Sequence, residues 1–580
     1  MSKPRRFLLR ALAAASVPVL LAACATQQSQ APVLRPIASA APTIDPHMAD
    51  TSVYGLYLAG EAALDDGANR EASIYLSQAS ARRPDAAFLK ERAFAAALVA
   101  GDVERAAALA PKAGEGDEAA YALGRVTQAV VDLADGRGKA SYDLLVSSGM
   151  GAHWAAATLL TPWAAAAAGD WNDATAPVSS ASGDRAVQAF GQLDHALLLE
   201  RAGKFTEAES AYQMMSARGG VFSLAYGAFL ERRGRRDAAL VIYGQSLAKD
   251  PTDPAFTAAK ARAASNAPAP PAPTIRTGAA EAMIGPAALL LAQKQPDAGL
   301  AYLRLALKLD PNLAEAWVLV GDALDAQQDT AGAREAYHQV KPDSAEYSTA
   351  QGRLAISLQE AGQKDEALSV AEAVASSHPN DPHTLLVLSD LYRDDERFGE
   401  AVQTLDKLIG LVGHDTAASW RLYYLRGASL ERSGKWDLAQ KDLQHALDLK
   451  PDDPEVLNYL GFAWADRGEH LDEALGLLTK ATTLAPDSGA IIDSLGWAYY
   501  RLGRYPQAVN ELERAASLDP ADPEINDHLG DAYWRAGRKL EAQYQWRRVL
   551  TLEPDAKTRT ATEAKLAHNI GIAAKDMEHP

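Results

Sequence analysis

Proline returns late in the chain at Pro451, Pro486, Pro520 and Pro554, at intervals of 35, 34 and 34 residues. Each interval repeats one pattern. Residues 489–520 carry Leu495, Gly496, Tyr499, Ala508, Leu512 and Ala515, and residues 523–554 carry Leu529, Gly530, Tyr533, Ala542, Trp546 and Val549. Residues 454–486 carry Leu460, Gly461, Trp464, Ala474, Leu478 and Ala481, with one residue inserted near Glu469, and residues 420–451 carry Gly427, Leu430, Ala439, Leu443 and Ala446. A period of this length marks stacked units that cannot bury their apolar faces alone. Apolar residues at i, i+3 and i+4 make each half of the unit an amphipathic helix. Glycine and alanine at the facing places let the two helices approach closely. The proline stops the second helix. Asp453-Pro454 and Asp522-Pro523 then start the next one, aspartate as cap and proline just inside. The pattern predicts an all-α superhelical solenoid of antiparallel helix pairs.

Weaker copies extend upstream at 382–412, 348–379, 314–342 and 280–311, and again at 53–84 and 189–251. Residues 85–185 are alanine-rich and helical in pattern but off-register. The run Asn266 to Thr274, NAPAPPAPT, cannot be helix. The reading is therefore two arrays joined by a Pro-rich segment. A degenerate N-terminal solenoid is expected at 51–264, a linker at 265–279, a C-terminal array at 280–555, and a capping helix with a tail at 556–580. The in-phase residues resemble the tetratricopeptide repeat, with Leu495-Gly496, Tyr499, Ala508, Leu512, Ala515 and Pro520 on its positions seven, eight, eleven, twenty, twenty-four, twenty-seven and thirty-two.

The N-terminus is a different kind of segment. Lys3, Arg5, Arg6 and Arg10 precede a short apolar stretch, Ala11 to Ala23, which is the layout of a secretory signal and too short for a membrane span. Leu21-Ala22-Ala23-Cys24 resembles the bacterial lipobox, and Cys24 is the one cysteine in 580 residues. The resemblance implies acylation of Cys24 after removal of residues 1–23. Ala25 rather than aspartate follows it, which by the same resemblance implies the outer membrane, facing the periplasm. Two or more acyl chains anchor stably where one does not. Residues 24–50 read as a lipidated tether that could extend to ~85–90 Å.

Formal charge is 57 − 75 = −18, and losing the four cations of the signal leaves 53 − 75 = −22. An acidic body disfavours nucleic acid as a partner. A single cysteine excludes an internal disulfide and a cysteine-based zinc site. No catalytic constellation emerges. Gly203-Lys204 and Gly434-Lys435 lack the flanking residues of a phosphate loop. His378 and His383 share one loop without a third ligand. In 85–185, His153, Trp154, Asp170 and Asp173 form no recognisable arrangement, so an enzyme there is a remote alternative. The chain is read as non-catalytic, with no cofactor and no metal.

What remains is surface. In stacked helix pairs the first helix of each pair lines a concave groove. Its groove positions hold Tyr424; Asn458 and Phe462; Asp493, Trp497, Tyr500 and Arg501; and Asp527, Asp531, Trp534 and Arg535. Trp, Tyr and Arg are the types enriched at interface hot spots, so these residues are the expected partner-binding groove. The layout of lipobox, two arrays and four regular repeats resembles the outer-membrane lipoprotein adaptors of periplasmic carboxyl-terminal processing proteases. That resemblance implies a scaffold bringing such a protease and its cell-wall hydrolase substrates together. An activator of a peptidoglycan synthase, or an envelope assembly factor, is the alternative.

Overall fold

The structure is a computed structural model that describes residues 51–577 except 116, 148, 178–183 and 414–418, with side chains to residue 567. Signal, tether and Cys24 lie outside the described residues. The described residues contain helices and no strand, and they fall into two compact units, divided between Asp395 and Glu396.

The second unit begins with the helix Phe398–Val412 and holds four helix pairs: Trp420–Arg432 with Trp436–Leu449, Pro454–Arg467 with Leu471–Leu484, Gly489–Arg501 with Tyr505–Leu518, and Pro523–Arg535 with Lys539–Thr551. The Asp-Pro starts behave as the pattern requires. Asp453 accepts from the amides of Glu455 and Val456, and Asp522 from those of Glu524 and Ile525. The small residues sit where helices touch. A Cβ on Gly496 would lie 2.6 Å from Leu512 Cγ, so only glycine fits that crossing. Ala508, Leu512 and Ala542 are fully buried, and with Leu529 and Trp546 they form one core at the end of the array. The helix Ala556–Met577 closes it, placing Leu566 in that core.

The first unit, residues 51–395, is less regular. The off-register stretch resolves into short-partnered pairs: Ala87–Ala100 with Val103–Leu109, Glu118–Ala134 with Gly138–Val146, and Trp154–Ala168 with Trp171–Ala174. Two more pairs follow, Arg185–Arg201 with Phe205–Ser216 and Gly220–Arg232 with Arg236–Leu247. Each adds a buried ion pair from its first helix to the first helix that follows, the last being Pro254–Ala264: Glu200 binds Arg232 at 2.7 Å and takes the Tyr212 hydroxyl, and Glu231 binds Arg262 at 2.7 Å and takes the Tyr243 hydroxyl.

The expected linker is not a free spacer. A polyproline run lacks donors but offers carbonyls, and three arginines take them. Arg201 reaches the carbonyl of Pro273, Arg232 that of Pro270, and Arg236 that of Ala267. Beyond it, the helix Ile275–Ala282 packs on Trp154–Ala168 and Arg185–Arg201. The helix Pro296–Leu309 packs on Ala87–Ala100 and Glu118–Ala134. Long-range bonds hold it there: His153 Nδ1 lies 2.7 Å from the Tyr302 hydroxyl, Arg304 donates to the Val99 carbonyl, and Lys308 pairs with Glu104. The expected division at 265–279 is thus displaced. Residues 275–395 belong with 51–264, because the first array closes on the segment that follows it.

Candidate functional groove

In the second unit the first helix Gly489–Arg501 packs between the first helices Pro454–Arg467 and Pro523–Arg535, the arrangement in which first helices line the concave face of a solenoid. Trp497 and Tyr500, one turn apart on Gly489–Arg501, stack with ring centroids 4.7 Å apart and planes 9° from parallel. His528, from the next repeat, stacks on the same indole at 4.2 Å. The Trp497 Nε1 donates to Asp466 at 3.3 Å. The result is a ladder Tyr500–Trp497–His528 across two repeats, with Trp497 and Tyr500 still partly exposed. Trp534 is also partly exposed, tilted against Trp546 at 5.6 Å, with the Lys539 ammonium 5.2 Å from its ring. Arg535 is exposed and lies 4.8 Å over Tyr505. Phe462 is partly exposed beside them in sequence order.

The groove acids are already engaged. Asp493 is buried and bonds His528 Nδ1 at 2.9 Å. Burial works against charge on His528, but the Asp493 carboxylate, with Glu524 and Asp527, prevails and raises its pKa to about 9. Asp527 and Asp531 share Lys565 of the terminal helix, with Nζ 2.8 Å from Asp527 Oδ2 and 2.7 Å from Asp531 Oδ1. Burial raises the Asp531 carboxyl, and Lys565 opposes that shift. Arg501 pairs with Asp466 at 3.5 Å and also bonds its carbonyl.

These contacts correct part of the expected groove. Asp493 and Tyr424 are buried, Tyr424 lying edge-on to Tyr459 at 5.6 Å, so both belong to the joint between repeats and not to the partner surface. Asp527 and Asp531 neutralise Lys565. Asn458 is half-buried, with its Oδ1 sealed from solvent and unbonded. The accessible remainder is Phe462, Trp497, Tyr500, Arg501, Trp534 and Arg535. His528 and Lys565 were not singled out from sequence, although the spacing held a signal. His528 follows Asp493 by 35 residues, as Thr562 follows Asp527. The terminal helix therefore stands where a further repeat would place its first helix, and it extends the concave face.

The residues considered for chemistry have structural employment. Asp170 caps a helix, Asp173 takes the Tyr142 hydroxyl, and His153 holds Tyr302. His378 rests on Tyr347 and contacts Ser377, while burial lowers the pKa of His383. Among the described residues no group of three or more His, Cys, Asp or Glu is placed to hold a metal.

Comparison with known proteins agrees with the repeat. Tetratricopeptide-repeat family models match residues 274–554 and 193–254, together more than half of the chain. A Pseudomonas aeruginosa protein, TPR repeat-containing protein PA4667, is 32% identical over 190 residues, 33% of this chain and 31% of that one. The mouse protein O-mannosyl-transferase TMTC1 is 25% identical over 150 residues, 26% of this chain and 16% of its own length. The chain thus spans under a third of the length of these relatives. Among solved structures, the APC/C hetero-tetramer Cut9–Hcn1 aligns over 90% of this chain and 96% of that chain at 14% identity with a TM-score of 0.39. YrrB, described as a TPR protein with an unusual peptide-binding site, aligns over 33% of this chain and 96% of that chain at 21% identity with a TM-score of 0.27. The matched repeats, their spacing and the stacked helix pairs place this chain in the tetratricopeptide-repeat family.

Proposed function

We propose that the chain is a non-catalytic adaptor, anchored to the outer membrane through lipid on Cys24, that holds other proteins on the concave face of residues 420–567. The observation that carries the reading is the partly exposed aromatic row Trp497, Tyr500 and Trp534 with Arg535 on successive first helices. Such a row offers large contact area at fixed geometry. The lipobox-like Leu21-Ala22-Ala23-Cys24 supports the anchor. Tethering would raise the effective concentration of two clients held by one body. By the resemblance in layout, those clients are a periplasmic carboxyl-terminal processing protease and its cell-wall hydrolase substrates.

The test is affinity capture with the lipidated protein from envelope extracts, against the double variant Tyr500→Ala with Trp534→Ala. A serine protease that co-purifies with the wild type and is lost at least tenfold with the variant, at unchanged helicity, is the expected result. A glycosyltransferase or transpeptidase in its place moves the reading to a synthase activator. Hydrolase activity in the pure protein overturns the non-catalytic reading.

A further inference from the structure

Inside the first unit, the helix Ile275–Ala282 lies on the first helices Trp154–Ala168 and Arg185–Arg201. The fit is close. A Cβ on Gly278 would lie 2.1 Å from the Trp163 ring, and one on Gly285 would lie 2.6 Å from the Phe190 ring. Yet the contact brings two acids together. Asp194, 4% exposed, and the partly buried Glu281 line one small cavity with Phe190, Leu193, Leu197 and Val221, with room for about one water. Asp194 Oδ2 and Glu281 Oε2 are sealed from solvent and make no hydrogen bond.

The surrounding groups supply one opposing cation, Arg232, and further acids. Glu315, on Ala314–Ala326, also carries a sealed, unbonded oxygen and feels Glu281 as a like charge, while Asp310 acts on Glu281 in the same sense. Arg232, on Gly220–Arg232, is committed to Glu200 in a 2.7 Å pair. Tyr212, on Phe205–Ser216, donates to that same Glu200. The indole N–H of Trp163 acts on Asp194 as a donor and opposes the effect of burial. Two carboxylates cannot both be ionised in such a site without several kcal/mol of unrepaid desolvation.

We propose that the Asp194–Glu281 pair is a proton-binding site that latches the segment Ile275–Ala292 onto the first unit when it carries protons and releases it when both carboxyls ionise. Burial raises both acids well above their ordinary range, and the Asp194 charge adds to the shift of Glu281. Docking of the helix therefore takes up protons, and alkaline pH opposes it. The stretch Ile275–Ala292 is apolar and half buried, so its release uncovers Trp163 and a helix-sized face on the first helices. This latch does not rest on the adaptor reading.

The test is hydrogen exchange of the backbone amides of 275–292 in the full chain, corrected for intrinsic rates, between pH 6.5 and 9.5. The wild type should lose at least tenfold in protection across that range. Glu281→Gln with Asp194→Asn, which imitates the protonated pair, should fold and change by less than twofold. A wild type with flat protection, a variant that falls as steeply as the wild type, or a variant that fails to fold at pH 6.5 overturns the latch.

Discussion

His528 shows how one residue ties chemistry to the groove. Its imidazole is held between the face of Trp497 and the carboxylate of Asp493. Its pKa rises from 6.5 unfolded to about 9 folded. The folded state therefore binds the proton more tightly, and the stabilisation is complete below about pH 6.5 and lost as pH climbs through 9. The full shift corresponds to roughly 3 kcal/mol. Melting of the second unit, followed by near-ultraviolet circular dichroism of its tryptophans, should fall in temperature from pH 6.5 to 9.5. His528→Gln should flatten that fall, and an equally steep fall in the variant would show that His528 does not cause it. Sequence alone gave no cue to the protonation state, which depends on how deeply the next repeat buries the ring.

At the scale of the element, the helix boundaries and joints were legible because each is decided locally. Asp522 caps Pro523–Arg535 through two backbone amides, so Asp522→Ala should cost about 1 kcal/mol in urea unfolding. An unchanged midpoint would mean the cap is redundant. Gly496→Ala is a sharper case. Alanine favours helix by up to about 1 kcal/mol, but its Cβ would lie 2.6 Å from the core residue Leu512, and overpacking costs about 1–3 kcal/mol. A net loss of stability is expected, whereas a gain would mean the helices separate without penalty. Which groove side chains stay free was not legible. Asp493 and Tyr424 occupy groove positions by count, but neighbouring repeats supply His528 and Tyr459 to cover them. Position within a repeat fixes a face, while the adjoining repeat decides exposure.

For the whole molecule, the repeat was readable from the proline period, but the division of the chain was not. The run Asn266 to Thr274 has the composition of a spacer, and only the carbonyl contacts of Arg201, Arg232 and Arg236 show that it is strapped down. Limited elastase digestion of the folded protein should accordingly spare residues 266–274, and early cleavage there would restore the spacer. The central claim concerns the concave face of the second unit, and site-specific photo-crosslinking in cells tests it most directly. A photoreactive residue at Phe462 or Tyr500, both partly exposed on first helices, is compared with one at Leu484 or Leu518, which are 45% and 40% exposed on second helices. Adducts to another polypeptide from Phe462 and Tyr500, and none from Leu484 and Leu518, is the expected result. Adducts from the second-helix positions alone would contradict the account.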